Sequence, residues 1–200
     1  MIAIIDYGMG NLFSVKNALE YLGEQPIVTR DADKIERADA VILPGVGAFP
    51  DAMRELNAAG LTDVVKRQAA KKPLLGICLG MQMLFDTGSE FERCAGLGLI
   101  PGYVDKIPAN GLKIPHMGWN SLEFSACCPL LEGVPRGAYV YFVHSYMAFA
   151  EEKYVAATAD YGCKVTALVN RGNIFGAQFH PEKSGETGLK ILRNFARLSR

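Results

Sequence analysis

Cys78 has the sequence surroundings of a catalytic nucleophile. It lies in Gly76-Ile77-Cys78-Leu79-Gly80, where an apolar run ends and a helix-forming segment begins. A residue at the tip of a sharp strand-to-helix turn needs small neighbours, and the first N–H groups of the following helix favour the thiolate, which is the attacking form of cysteine. The spacing therefore predicts a nucleophile for acyl chemistry. The alternative is a buried structural cysteine, the commoner role for a single Cys.

A thiol nucleophile needs a base, and His180 is the histidine best placed by the sequence to supply one. It follows the apolar run Ile174–Phe179 and precedes Pro181, which restrains the backbone, and Glu182. A carboxylate two residues on can turn back to the imidazole, hold one tautomer and stabilise the imidazolium. We predict a triad of Cys78, His180 and Glu182.

The chain has only two other histidines. His144 also ends an apolar run and competes for the role of base, but no carboxylate is near it in the sequence. His116 is interpreted as a loop residue with a structural or interface use. No Cys-x-x-Cys or His-x-x-x-His pattern is present, so we predict no metal site.

Acyl chemistry at a thiolate creates an oxyanion that needs preplaced hydrogen-bond donors. The N–H of Leu79, directly after the nucleophile, is the first predicted donor. A second donor is predicted among Gly45, Val46 and Gly47, which follow Pro44 at the end of an apolar strand. The two glycines allow a peptide to turn its N–H toward the site, whereas the alternative is an ordinary turn between a strand and a helix.

The elements that must position these residues alternate between strand and helix in the first half. Short β-type runs are predicted at Ile2–Asp6, Pro26–Thr29, Ala40–Leu43 and Leu74–Ile77, with helices over Asn11–Leu22, from about Pro50, and over Leu61–Lys71. This alternation predicts a parallel sheet covered on both faces, with the active site at the carboxyl ends of its strands.

The second half has closely spaced β runs, which predict antiparallel pairings. They are Tyr139–Val143, Tyr154–Ala157, Val165–Val169 and Ile174–Phe179, and a closing helix is predicted over Ser184–Leu198. Residues 86–98 are predicted to form a loop. The predicted fold is one α/β domain over residues 1–200, with a mixed, mostly parallel sheet flanked by helices.

Composition excludes several classes of function. The 200 residues are 50% hydrophobic, which suits one well-cored domain, and 21 Lys plus Arg balance 21 Asp plus Glu. Without a basic run we expect no nucleic-acid binding, and without a long apolar stretch no membrane span. The N-terminus lacks the pattern of a signal peptide, and the five cysteines have no paired spacing, so we predict reduced thiols in a cytoplasmic protein.

Two motifs resemble those of triad-type (class I) glutamine amidotransferases: Gly-Ile-Cys-Leu-Gly-Met-Gln at 76–82 and Phe-His-Pro-Glu at 179–182. The resemblance implies a flavodoxin-like fold with a nucleophile elbow. Within that family, residues 6–11, 44–49, 115–120 and 144–146 resemble the glutaminase subunits of imidazole glycerol phosphate synthases. The first two motifs specify the chemistry, and the segments at 44–47 and 115–120 specify the kind of subunit.

The resemblance implies that Cys78 attacks the side-chain amide of glutamine, that ammonia leaves, and that water then releases glutamate from a thioester. It also implies that Gln82, Ser145 and Tyr146 contact the amino-acid end of glutamine. The alternatives are a surface position for Gln82 and a packing role for Tyr146. No cofactor is expected.

Ammonia released into neutral water is mostly protonated, so a useful glutaminase must deliver it under cover to an acceptor. The resemblance implies a heterodimer with a (β/α)₈-barrel cyclase subunit that makes imidazole glycerol phosphate and aminoimidazole carboxamide ribotide in histidine biosynthesis. Trp119, the only tryptophan, is a predicted interface anchor, with a core position as the alternative. Met9, Asn11 and Lys183 are further interface candidates.

Three other functions remain compatible with the sequence. A glutaminase that serves another synthase, such as the one making pyridoxal phosphate, would share the same triad. A cysteine hydrolase of this architecture would act on peptides or esters and need no ammonia acceptor. A binding module on the same fold would not need the thiol of Cys78.

Overall fold

The computed structural model of the protein describes residues 1–108 and 110–199. Its strands are β1 (Ile2–Ile5), β2 (Pro26–Thr29), β3 (Ala40–Leu43), β4 (Leu74–Ile77), β5 (Phe85–Gly88), β6 (Cys94–Ala95), β7 (Ile100–Lys106), β8 (His116–Ser121), β9 (Glu123–Phe124), β10 (Tyr139–His144), β11 (Tyr146–Ala150), β12 (Val155–Asp160), β13 (Lys164–Arg171) and β14 (Ile174–Ala177). Its helices are α1 (Leu12–Tyr21), α2 (Ala32–Arg37), α3 (Phe49–Ala58), α4 (Thr62–Ala69), α5 (Leu79–Gln82) and α6 (Gly185–Arg197). Short 3₁₀ turns occur at Pro129–Leu131, Glu152–Tyr154 and Pro181–Lys183.

Across the described residues, the central sheet has eight strands in the order β2-β1-β3-β4-β14-β13-β12-β9. The strands from β2 to β14 pair in parallel, and the pairs from β14 to β9 are antiparallel. This mixed, mostly parallel sheet confirms the predicted fold class. Since β4 and β14 are parallel neighbours, the segments that follow their carboxyl ends lie side by side.

Helices cover both faces of the sheet. Along β1, Ile2 and Ile4 pack in the core that contains residues of α1 and α6. The alternate residues Ala3 and Ile5 pack in the opposite core, with residues of α2, α3 and α4. Because successive strand residues point to opposite faces and both faces are dry, β1 reads as a continuous apolar run.

Two smaller sheets stand beside the central one in the described part of the chain. β8 and β10 form an antiparallel pair, and the other sheet has the order β11-β7-β5-β6. The predicted loop over residues 86–98 is therefore wrong in part, because it contains most of β5 and all of β6. These strands are too short and too polar to show a β pattern in the sequence.

The prediction that His116 lies in a loop is also wrong. His116 begins β8, pairs with His144 of β10 and is buried. The pairing joins segments far apart in the sequence, and Pro115 and Gly118 hide the strand pattern. Among the described residues, no helix is long and apolar enough to cross a membrane.

Candidate active site

The Cys78 turn is a tight elbow between β4 and α5. Cys78 has φ 54° and ψ −112°, a left-handed backbone that a residue with a side chain rarely adopts. A Cβ on Gly76 would lie 2.6 Å from the Gly80 carbonyl oxygen, and one on Gly80 would collide with the carbonyl oxygen of Leu43. The glycines on either side of Cys78 are therefore required by close backbone packing. The helix that follows, α5, is a single turn of four residues.

The Pro44–Gly47 segment lies directly over this elbow. A Cβ on Gly45 would approach the Gly80 nitrogen to 2.6 Å, so this glycine also meets the backbone of the elbow. Tyr7 donates a 2.9 Å hydrogen bond to the Pro44 carbonyl, which anchors the start of the segment. At its other end, Gly47 has φ 96° and lies against the methyl group of Met9. The segment is thus fixed at Pro44 and borders the elbow through Gly45.

His180 and Glu182 form a buried pair. His180 Nδ1 lies 2.8 Å from Oε1 of Glu182, and the two side chains are 4% and 0% exposed. The His180 backbone N–H donates to the Tyr141 carbonyl of β10, and its own carbonyl accepts from Ser184. The turn Pro181–Lys183 therefore folds the carboxylate back onto the ring as expected.

Burial of the His180 ring opposes its protonation, but the adjacent Cys78 thiol and Glu182 carboxylate outweigh burial. Together they raise the pKa of His180 from 6.5 to about 9. The raised pKa makes the ring of His180 an imidazolium at neutral pH. The Cys78 sulfur also lies 3.9 Å from the Val143 carbonyl oxygen and 3.9 Å from the Gln178 amide nitrogen.

A cavity of about 440 Å³ opens over the thiol. Its lining includes the predicted nucleophile Cys78 and base His180. It also includes the predicted oxyanion donors Val46, Gly47 and Leu79 and the predicted substrate contacts Gln82, Ser145 and Tyr146. Glu90, Pro115, Val143 and His144 complete the lining. The structure therefore brings the predicted catalytic, oxyanion and substrate positions to one cavity, except that Gly45 and Glu182 are not among its lining residues.

Gln82 is held in one orientation. Its amide nitrogen donates to the Tyr146 carbonyl at 2.9 Å and to the Gln178 side-chain oxygen at 3.0 Å. Both amide hydrogens are thereby used within the protein, so Gln82 offers a ligand its carbonyl oxygen as an acceptor. The alternative of a surface position for Gln82 is wrong, because this side chain is buried.

Sequence reasoning missed two polar residues of the site. Glu90 lies in the segment predicted as a loop, and its carboxylate accepts a 2.8 Å hydrogen bond from the N–H of Phe49 while lining the cavity. No sequence pattern around Glu90 indicates that it belongs to the site. Gln178 is completely buried between Gln82 and Cys78. A polar residue inside the apolar run before His180 is a signal that could have found it.

His144, the competing base, has both ring nitrogens engaged within the protein. Nδ1 lies 2.8 Å from the Tyr146 carbonyl oxygen, and Nε2 lies 3.0 Å from Nδ1 of His116. His180 instead directs its Nδ1 to Glu182 and has the Cys78 thiol as its other neighbour. The geometry therefore favours His180 as the base.

The predicted interface residues lie in separate elements. Trp119 lies on β8 and is 56% exposed, so the alternative of a core position is wrong. Its ring centroid lies 6.1 Å from that of Tyr141 on β10. Met9 touches Gly47, and Asn11 precedes α1, which packs near the turn that contains the exposed Lys183. Met9 is thus the candidate in direct contact with the donor segment.

The fold and site are those of a cysteine-dependent amidotransferase, and comparison with known proteins identifies the family. The model of the family "Glutamine amidotransferase class-I" matches residues 3–198. The chain belongs to this family and, within it, to the group of imidazole glycerol phosphate synthase subunits called HisH.

Two relatives support that grouping. The HisH subunit of Bacillus cereus (strain G9842) is 55% identical over 98% of this chain and 93% of its own length. The subunit of Listeria monocytogenes serotype 4a (strain HCC23) is 51% identical over 98% of this chain and 94% of its own length.

Solved structures share the fold at lower identity. A glutamine amidotransferase structure has a TM-score of 0.78 at 21% identity, covering 100% of this chain and 99% of that one. The PurLQS structure from Thermotoga maritima has a TM-score of 0.77 at 23% identity, covering 98% of this chain and 97% of that one. At these identities the likeness concerns the fold alone.

Proposed function

We propose that this protein is the glutaminase subunit of an imidazole glycerol phosphate synthase, with Cys78, His180 and Glu182 as its catalytic triad. The single observation that carries the proposal is the buried His180–Glu182 pair beside a thiol on a strained elbow, at a cavity of about 440 Å³. The identity of more than half of the residues to HisH subunits supports the particular synthase.

The reaction begins when the Cys78 thiolate attacks the side-chain carbonyl carbon of glutamine. The new C–S bond pushes the carbonyl electrons onto oxygen, and the N–H of Leu79 and a peptide of Gly45, Val46 or Gly47 donate to that oxyanion. When the C–N bond breaks, imidazolium His180 gives its proton to the departing nitrogen and ammonia leaves. Neutral His180 then takes a proton from water, which attacks the thioester and releases glutamate.

The amino-acid end of glutamine binds against the part of the cavity lined by Gln82, Glu90, Ser145 and Tyr146. Gln82 presents a carbonyl oxygen and Glu90 a carboxylate, and both are acceptors suited to the α-ammonium group of the substrate. Ser145 and Tyr146 supply the remaining wall. Partial burial, together with the negative charges of Glu90 and Asp105, raises the pKa of the Tyr146 hydroxyl, which keeps it a hydrogen-bond donor.

The acceptor of the ammonia is a (β/α)₈-barrel cyclase subunit, bound as a heterodimer. We place its docking surface on the outward face of β8 and β10, where Trp119 lies beside Met117, Tyr139 and Tyr141, and extend it over Met9, Asn11 and Lys183. Met117, Trp119 and Tyr139 are 61%, 56% and 59% exposed, an unusual concentration of large apolar side chains on one sheet face. Trp119 has the character of an interface anchor.

The test is to measure glutamate release from glutamine by the chain alone, with the cyclase subunit, and with cyclase plus its phosphoribosyl formimino ligand. Cys78→Ser is expected to abolish release, whereas Cys127→Ser, at an exposed position away from the cavity, is the matched control. Retained release in Cys78→Ser would overturn the proposed nucleophile. Activity with a different synthase, and none with this cyclase, would overturn the proposed partner.

A further inference from the structure

Beneath the outward face of β8 lies a chain of three side-chain hydrogen bonds that the proposed reaction does not use. Asn120 Nδ2 lies 3.3 Å from His116 Nε2, and His116 Nδ1 lies 3.0 Å from His144 Nε2. His144 Nδ1 then lies 2.8 Å from the Tyr146 carbonyl oxygen. We call Asn120, His116 and His144 the relay; it leads from β8 through the end of β10 to the start of β11.

Backbone groups at both ends fix the direction of every bond in the relay. At one end the Tyr146 carbonyl only accepts, so the hydrogen of the His144 ring is on Nδ1 and its Nε2 is an acceptor. His116 must therefore donate from Nδ1 and accept at Nε2. At the other end, Asn120 Oδ1 accepts from the Ser121 N–H at 2.8 Å and Nδ2 donates to the Asp160 carbonyl at 2.7 Å.

That second set of contacts turns the Asn120 amide nitrogen, a donor, toward His116 Nε2. The two ends were fixed by different backbone atoms, yet they require the same tautomer of His116. Every donor therefore meets one acceptor when both rings are neutral and carry their hydrogen on Nδ1.

The surroundings keep the rings neutral and in place. His116 and His144 are 2% and 6% exposed, and His116 is stacked between Phe142 and Tyr161 at ring separations of 4.6 and 4.1 Å. Burial lowers the pKa of His116 to about 4 and, with the influence of the neighbouring histidines, that of His144 to about 3. A buried network with every member satisfied is rigid, whereas one missing donor leaves a buried acceptor unpaired.

The relay ends where the glutamine site begins. Tyr146 O accepts from both His144 and the substrate-facing Gln82, and the Ser145–Tyr146 segment forms one wall of the cavity. On β8, Trp119 points outward between His116 and Asn120, which point inward. The relay thus connects β8, the strand that carries Trp119, by hydrogen bonds to the Ser145–Tyr146 wall of the cavity.

We propose that Asn120, His116 and His144 are positioning residues that hold the Ser145–Tyr146 wall in the geometry that binds glutamine. This inference rests on the proposed function for its substrate. Because the hydrogen bonds of the relay lead to the Tyr146 carbonyl and not to the thiol or its base, the relay sets the binding of glutamine more than the chemical step.

The tautomers give a test that needs no activity. The chain has only three histidines, so ¹⁵N-histidine labelling of the full-length protein gives one resolvable set of ring signals for each. At pH 7 we expect two neutral rings with the hydrogen on Nδ1, His116 and His144, and one imidazolium, His180. Assignment uses His116→Phe and His144→Asn. An Nε2–H tautomer or a second imidazolium would overturn the relay.

The kinetic test uses two changes at His116 in the complex with the cyclase and its ligand. His116→Phe keeps the stacked ring and removes both hydrogen bonds, whereas His116→Asn keeps an amide donor near the position of Nδ1. We expect His116→Phe to raise the KM for glutamine about tenfold, because His144 Nε2 and Asn120 Nδ2 lose their buried partner, with kcat within about twofold. His116→Asn should recover most of the KM.

Equal KM values for His116→Phe and the unmodified protein would overturn the proposal. Equal defects in the Phe and Asn variants would overturn it as well, because restoring the donor would then not restore glutamine binding. Absence of glutamine hydrolysis by the unmodified complex would instead refute the proposed function. In that case the tautomer measurement still decides whether the relay exists.

Discussion

Replacing Glu182 by glutamine removes the charge that faces His180 and nearly preserves the side-chain shape. Nδ1 of His180 lies 2.8 Å from Oε1 of Glu182, whose side chain is fully buried. A glutamine oxygen at the same place still accepts from Nδ1, so the ring keeps its orientation. The substitution therefore separates the electrostatic role of the carboxylate from its role in positioning the ring.

The size of the effect follows from the titration of His180. Burial opposes protonation, yet Cys78 and Glu182 raise the pKa from 6.5 to about 9, which favours the imidazolium by about 3 kcal/mol. Because these two neighbours also offset burial, their combined effect exceeds the net shift, and loss of the carboxylate should lower the proton affinity of His180 by on the order of tenfold. A lower pKa of His180 means less imidazolium at neutral pH and slower transfer of a proton to the departing ammonia.

The assays are NMR titration of the His180 ring, alkylation of Cys78 by iodoacetamide across pH, and glutamate release with the cyclase. We expect a tenfold lower proton affinity and a kcat lower by about 10²- to 10⁴-fold, the usual share of acid–base catalysis. Glu186→Gln removes the same charge from an exposed position in the first turn of α6 and serves as the control. An unchanged His180 titration in Glu182→Gln would refute the reasoning.

Three further predictions follow from the same contacts. The stability contributed by the raised pKa of His180 is complete below pH 6.5 and is lost as pH rises through about 9. Urea unfolding should show the free energy of unfolding fall by about 3 kcal/mol over this range, and His180→Gln should not show this fall. Gly80→Ala puts a Cβ against the backbone of Leu43 and should lower the free energy of unfolding by about 4 kcal/mol, whereas Gly23→Ala, with φ 81° and open space, should lose about 1 kcal/mol. Trp119→Ala should weaken cyclase binding by about 30-fold in calorimetry, and Tyr21→Ala, 78% exposed at the far end of α1, should leave it unchanged.

Each of these has an outcome that contradicts it. The pH-dependent loss must disappear in the His180 variant, or another group causes it. If the two glycine variants lose equal stability, close packing against Leu43 does not explain the need for a glycine at position 80. Equal effects of the tryptophan and tyrosine variants would mean that the docking surface is not on β8.

Patterns within a few residues were sufficient to predict an element where the local backbone or burial requires a particular residue type. The glycines around Cys78 predicted a tight elbow, and the apolar runs β1 to β4 predicted the parallel sheet. α2 was missed although Asp31 caps it, accepting from the N–H of Asp33 at 3.0 Å, because six residues are too few to show a helical period. The N-cap residue Asp31 was the only local indication of α2 in the sequence.

Long-range pairing was beyond local signals. The placement of β8 opposite β10 buries His116, which appeared to be a loop residue, and exposes Trp119 on the other face. A strand residue's face depends on its partner's register, and a shift of one residue reverses it. The fold of residues 86–98, which brings Glu90 to the cavity, depends likewise on contacts with distant strands.

The sequence by itself determined the chemistry of this protein, because a thiol between two glycines and a histidine followed by a carboxylate are signals contained within a few residues. Only the tertiary structure decided that β4 and β14 are neighbours, so that the Cys78 N–H donates to the Ala177 carbonyl at 2.7 Å and His180 lies next to the thiol. It also decided which polar groups surround them. The physical reason is that hydrogen-bond partners and the pKa of a buried group are set by atoms brought together through folding, at separations that no spacing along the chain encodes.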